Sequence, residues 1–106
     1  MSVIFFDIDG TLATGTTVPE SAAAAVAHAR AAGNYVFICT GRPRRYAQEH
    51  FGAYADGFVC SNGRLAVCDG RVLVNKPVKA SQVEAIIRVL DEHRAGYAFF
   101  SVDELY

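Results

Sequence analysis

Val3-Ile4-Phe5-Phe6-Asp7-Ile8-Asp9-Gly10-Thr11-Leu12 is the stretch that decides the fold. Four β-branched or aromatic residues run straight into an acidic, glycine-bearing turn. Such an unbroken apolar run reads as a strand buried on both faces, the pattern of a parallel sheet. Outward from it, Asp7 to Thr17 is rich in Gly and Thr and reads as loop. A helix is expected from Pro19 to Ala32, opened by Thr17 and Glu20 as a capping box and stopped by Gly33. Tyr35 to Cys39 is a second strand, Pro43 to Phe51 a short helix with its proline in the first turn, and Gly57 to Cys60 a third strand. Strands and helices alternating over short connections call for a parallel sheet with right-handed crossovers.

After Ser61 the pattern changes. Leu65 to Cys68 and Arg71 to Val74 flank Asp69-Gly70, a strong signal for a tight hairpin. Ser81 and Glu84 are spaced as a second capping box. They open a helix with Val83, Ile86, Ile87 and Leu90 on one stripe, ended by Gly96. Tyr97 to Val102 is expected as a last strand. This β-β-α-β section reads as the start of a second, antiparallel unit, so the chain divides into 1–62 and 63–106.

Composition bounds the function classes. A chain of 106 residues is one domain or a piece of a larger one. With 52% hydrophobic and 20% charged residues, intrinsic disorder is excluded. A net charge of −1 excludes a generally basic nucleic-acid binder. No apolar run approaches the roughly 20 residues that span a bilayer, and the N-terminus carries no basic leader, so no signal peptide is expected. Cys39, Cys60 and Cys68 are odd in number and far apart, which fits neither a disulfide framework nor a zinc site. The expectation is a soluble cytoplasmic protein with neither nucleic acid nor membrane as a partner.

Three clusters carry chemistry. Asp7 and Asp9 follow the first strand with Ile8 between them, so both carboxylates can face one way while Ile8 packs inward. Strand ends of this kind face the ligand crevice of an open parallel sheet. Two carboxylates there repel unless a cation or proton relieves them, and Mg²⁺ suits oxygen donors. Gly10 allows backbone amides to approach an anion. A calcium loop is excluded, because Leu12 stands where its glycine and Val18 where its glutamate belong. Thr40-Gly41-Arg42-Pro43, at the end of the second strand, offers a hydroxyl, a glycine and an incipient helix N-terminus to a phosphate. Ser61-Asn62-Gly63 follows the third strand, and Asn-Gly there also fits an ordinary turn. Elsewhere, Arg42, Arg44 and Arg45 read as a solvated face beside an anion site, and His28, His50 and His93 as surface positions. Tyr46, Phe51, Tyr54 and Phe58 read as core contacts, and Lys76 and Lys79 as exposed.

Phe6-Asp7-Ile8-Asp9-Gly10-Thr11-Leu12 resembles the first motif of the haloacid dehalogenase superfamily, and Thr40-Gly41-Arg42 the second motif of its Cof-like sugar-phosphate phosphatases, which carry a large α/β cap. The resemblance implies a Rossmann-like three-layer α/β core, here partial, over 1–62, and the beginning of an α/β cap with antiparallel strands over 63–106. It implies a Mg²⁺-dependent phosphohydrolase of a small phosphorylated metabolite, with Asp7 as nucleophile through an aspartyl-phosphate and Asp9 as acid and base. Asp7 and Asp9 would also serve the metal, and Gly10, Thr11, Thr40, Gly41, Arg42 and Asn62 the phosphate. The family's downstream lysine and acidic pair have no match in these residues. The chain alone is therefore expected to be poorly active, and the alternative is a non-catalytic phosphate-binding or assembly module. Without further strands beside it the first strand would be a sheet edge, and a homo-oligomer through that edge or the unfinished cap is expected.

Overall fold

A computed structural model describes residues 1–102 of the chain. In chain order the elements are β1 (Val3–Asp7), α1 (Glu20–Ala31), β2 (Tyr35–Cys39), α2 (Arg44–Phe51), β3 (Gly57–Cys60), β4 (Leu65–Cys68), β5 (Arg71–Asn75) and α3 (Ala80–Glu92). The strands form one sheet in the order β1-β2-β3-β4-β5. β1, β2 and β3 are parallel, in the register Asp7↔Cys39 and Cys39↔Val59. β4 and β5 are antiparallel. This is the expected α/β class with parallel strands first.

One face of the sheet is covered. Val26 of α1 and Ala47 and Phe51 of α2 bury Val36, Ile38, Phe58, Cys60, Leu65 and Val67 into a single core. Two apolar residues four apart suffice to dock α2, because i and i+4 lie on one helix face. The other face differs from the expectation. β1 alternates between exposed and half-buried, with Val3 and Phe5 47% and 59% exposed, because no helix among the described residues lies over them. β1 stands at the sheet edge among the described residues. Gly57 has no room for a side chain: a Cβ there would run into the Phe37 ring and come within 2.6 Å of the Val67 carbonyl.

The hairpin forms as expected. Asp69 and Gly70 both take positive φ, 47° and 75°, as a type I′ turn requires. Its first strand continues the same sheet: β4 pairs with β3 from Leu65 to Cys68. Four other local expectations are corrected. Pro19, with no side-chain cap bond, occupies the N-cap of α1, and Thr17 instead pairs with Thr14 across a turn. α3 starts at Ala80, where the Lys79 N–H donates to Gln82 Oε1 at 3.1 Å, so Ser81 already lies inside the helix. It ends before Gly96. Arg94 takes φ 52°, and bonds from Arg94 N–H to Asp91 O and from Ala95 N–H to Leu90 O close a Schellman motif. Gly33 does close α1 in this way, with φ 90°. Tyr97 to Val102 has no ladder among the described residues beyond a bridge at Phe100, and its side chains line a cavity with Leu65 and Val83. The apolar stripe of α3 is formed, but none of its residues is buried.

At the end of the sheet away from Asp7, Asp56 ties α1 to β2. Its carboxylate accepts from Arg30 Nε and Nη2 at 3.1 and 2.8 Å and from the Val36 N–H at 2.8 Å. Burial pushes the carboxyl up, but the Val36 amide and the Arg30 guanidinium outweigh it and hold it below its usual range. A carboxyl lowered in the folded state contributes stability above its unfolded pKa and loses it as pH falls through the folded one. Asp56→Asn should therefore cost about 1–3 kcal/mol near neutral pH. In urea titrations the gap to wild type should close as pH drops from about 4 towards 2. A gap independent of pH would show that the charge contributes nothing.

Candidate active site

The loop after β1 winds around one carbonyl. Thr11, Leu12 and Ala13 all donate their N–H to Ile8 O, at 3.0 to 3.1 Å. Ile8, Leu12 and Ala13 are buried beneath the loop, which anchors it and leaves Asp7 and Asp9 on the outside. Gly10 turns the chain with φ 76°, a region costly for residues with a Cβ. Its N–H donates to Ala13 O at 3.1 Å. Thr11 donates its hydroxyl to Asp7 Oδ2 at 3.3 Å.

The parallel register brings the end of β2 beside Asp7. An open cleft of about 270 Å³ is lined by Asp7, Cys39, Thr40, Gly41, Val59, Asn62 and Gly63. Thr40 is 7% exposed, and its Oγ1 accepts the Arg42 N–H at 3.1 Å, which leaves its own O–H as a donor. Asn62 closes the cleft from β3. Ser61, Asn62 and Gly63 all take positive φ, 51°, 55° and 86°, a run that L-residues adopt only at a cost. The bend brings Asn62 Oδ1 within 3.0 Å of where a Gly41 Cβ would stand, so Gly41 is the residue that fits. Cys39 lies level with Asp7, and burial, then the Asp7 charge, push its thiol up.

Arg42 and Asp9 meet in a fork. Arg42 Nε reaches Asp9 Oδ2 and Nη2 reaches Oδ1, both at 3.0 Å. The Arg42 hydrogen bonds hold the Asp9 carboxyl below the usual carboxylate range, and Asp9 in turn raises Arg42. The Asp9 carboxylate thus stands ionised, with both oxygens engaged by Arg42.

A divalent cation finds suitable chemistry here in part. The Asp7 carboxylate is exposed beside the cleft, and oxygen donors suit Mg²⁺. The Asp9 carboxylate is taken by Arg42, which leaves its main-chain carbonyl as the second donor. Among the described residues no three His, Cys, Asp or Glu side chains gather as a metal cluster.

The clusters read from sequence therefore converge: Asp7, Thr40, Gly41 and Asn62 line one cleft, and Asp9 and Arg42 pair with each other. His28, His50 and His93 are exposed, as are Lys76 and Lys79. Phe51 and Phe58 are core. Asp103 and Glu104 lie outside the described residues. Tyr46 packs against the core as expected, and its ring also lies under Arg42, 4.3 Å from Cζ to centroid. Arg42 precedes α2, so no helical spacing links it to Tyr46 in the sequence. No helix of the described residues is long and apolar enough to cross a membrane.

A family model described as haloacid dehalogenase-like hydrolase matches residues 4–106. No curated protein matches the chain significantly. Among solved structures, a hypothetical protein from Geobacillus kaustophilus is 31% identical at TM-score 0.81 over 97% of this chain and 41% of its own. A subclass IIB sugar phosphatase of the haloacid dehalogenase superfamily is 26% identical at TM-score 0.83, over 99% of this chain and 43% of that one. A phosphatase of the same superfamily from Bacteroides thetaiotaomicron is 25% identical at TM-score 0.85, over 99% and 40%. The chain thus spans about two-fifths of the length of these structures.

Proposed function

The chain belongs to the haloacid dehalogenase-like hydrolase family, and from that premise we propose that its cleft serves the hydrolysis of a small, sugar-phosphate-like monoester through a phosphoryl group carried on Asp7. The observation that carries this reading is the Asp7 carboxylate standing in one cleft with the Thr40 hydroxyl and Asn62. Likeness to a sugar phosphatase supports the substrate class.

Asp7 attacks phosphorus, and the bond to the leaving oxygen breaks as that oxygen takes a proton from Asp9. Water then gives a proton to Asp9 and attacks the same phosphorus, which frees phosphate and restores Asp7. Thr40 donates its hydroxyl to a phosphoryl oxygen, and Gly41 and Asn62 shape the wall against which the group sits. Gly10 and Thr11 hold the loop and the Asp7 rotamer. Arg42 releases Asp9 when it turns towards the added negative charge. Mg²⁺, held by the Asp7 carboxylate and the Asp9 main-chain carbonyl, would neutralise the charge that gathers between nucleophile and phosphate.

Phosphoryl transfer depends mostly on positioning and charge stabilisation. Each missing charge-stabilising group costs about 10²–10³ in rate, and both a lysine and an acidic pair have no match in this sequence. Initial rates on an aryl phosphate, with and without Mg²⁺, test the reading. Residues 1–106 should stay near background, and a protein that also carries those two motifs should show Mg²⁺-dependent turnover. Equal inactivity of the two would sink hydrolysis and leave a phosphate-binding module.

A further inference from the structure

We infer that Tyr46 is a positioning residue of this site: its ring fixes the Arg42 guanidinium, and through it the place of the Asp9 carboxylate. Arg42 and Asp9 both sit on loops, and their side chains are 44% and 50% exposed. An exposed pair between flexible side chains is ordinarily loose, since holding it costs rotamer freedom and water screens it. Here both arms of the fork are nevertheless closed at 3.0 Å. What distinguishes the pair is the surface behind it. The Arg42 Cζ lies 4.3 Å from the centre of the Tyr46 ring, within cation–π reach.

That ring is itself held. Tyr46 lies in the first turn of α2 and packs against the buried core. The His50 ring stands 4.6 Å away, one turn further along, and the Phe51 ring 6.3 Å. Positional order thus runs outward from the core through Tyr46 to Arg42 and then to Asp9. A core-filling role alone needs only apolar volume at this position, whereas the positioning role needs an aromatic face. Its functional meaning rests on the reading of Asp9 as the acid and base, but the pair can be followed without any turnover.

The test is nitrogen-15 NMR of the Arg42 Nε–Hε group in residues 1–106, at fixed pH. In wild type this proton should be shifted by the ring current and exchange slowly with water. Tyr46→Phe, which keeps the ring, should match wild type. Tyr46→Leu should lose the ring shift and exchange about two- to fivefold faster, the ratio that a cation–π contact at an exposed site supports. Asp9→Asn identifies the signal by releasing it. Backbone amide spectra of β1 to β3 verify that each variant is folded, and Tyr46→Met replaces Tyr46→Leu should that one unfold. Exchange in Tyr46→Leu equal to wild type, or Tyr46→Phe as fast as Tyr46→Leu, would overturn the inference, as would a wild-type signal without a ring shift. Because no hydrolysis enters, failure here and failure of the proposed reaction are separate results.

Discussion

Asp7→Asn, made in a protein that carries the whole catalytic set, should remove aryl phosphate hydrolysis by on the order of 10⁴-fold or more, because an amide in its place cannot attack phosphorus. Asp9→Asn should behave differently. Loss of a positioned proton donor and acceptor costs about 10²–10⁴, and with an aryl leaving group, which departs without much protonation, the loss should fall mainly on the second step. The phosphoryl group should then accumulate on Asp7, visible as a burst of aryl alcohol and as a phosphorylated peptide containing Asp7. Asp7 is the last residue of β1 and Asp9 lies in the loop that follows, and both side chains are exposed, so neither substitution should unfold the chain. An Asp7→Asn protein with substantial turnover would remove Asp7 as nucleophile. An Asp9→Asn protein with no burst and no adduct would place the loss before phosphoryl transfer and make Asp9 chiefly an acid.

The Arg42 fork bears on this asymmetry. Held by a guanidinium, Asp9 stands ionised, the form that the proposed second step would use. In the proposed reaction the first step would need a protonated carboxyl, and the fork would have to open. A phosphoryl group entering beside Thr40 brings negative charge near Arg42, and a guanidinium fork fits phosphate oxygens as well as it fits a carboxylate. One residue can in this way serve both halves of the reaction.

What could be read from the sequence and what could not divides along physical lines. β1, β2 and β3 were legible because buried apolar runs and their glycine and proline boundaries are local signals. Asp7, Thr40 and Asn62 followed, since a parallel sheet aligns its strand ends. The helix ends were less legible. Thr17 had the right residue type for a cap but is used in a turn with Thr14, and Arg94, not Gly96, supplies the left-handed residue after α3. Such choices are worth about 1 kcal/mol, and tertiary context decides them. Val3 and Phe5 read as buried, yet a run of apolar residues says nothing about whether a second layer is at hand. The Arg42–Asp9 pair joins residues 33 apart, and no local pattern announces it.

The core sets how firmly all this is held, and Phe51 is its largest fully buried side chain, 0% exposed at the last turn of α2. Phe51→Ala should cost about 3–5 kcal/mol, from lost transfer energy and from the cavity left between α2 and the sheet. For a domain whose total stability is about 5–15 kcal/mol this is a large fraction. With a shift of about 4–8 °C per kcal/mol in a domain of this size, the melting temperature should fall by well over about 10 °C. Phe51→Leu, which keeps most of the volume, should cost far less. The damage should also reach the site selectively. Only Ala47 and Phe51 of α2 are fully buried, and Tyr46 rides on the same short helix. In Phe51→Ala, hydrogen exchange of α2 amides should therefore rise more than that of β1 to β3, and the slow exchange of Arg42 Nε–Hε should be lost with it. A Phe51→Ala protein within about 1 kcal/mol of wild type would mean that α2 is held by something other than its two buried residues, and the rigid backing assigned to Tyr46 would lose its foundation.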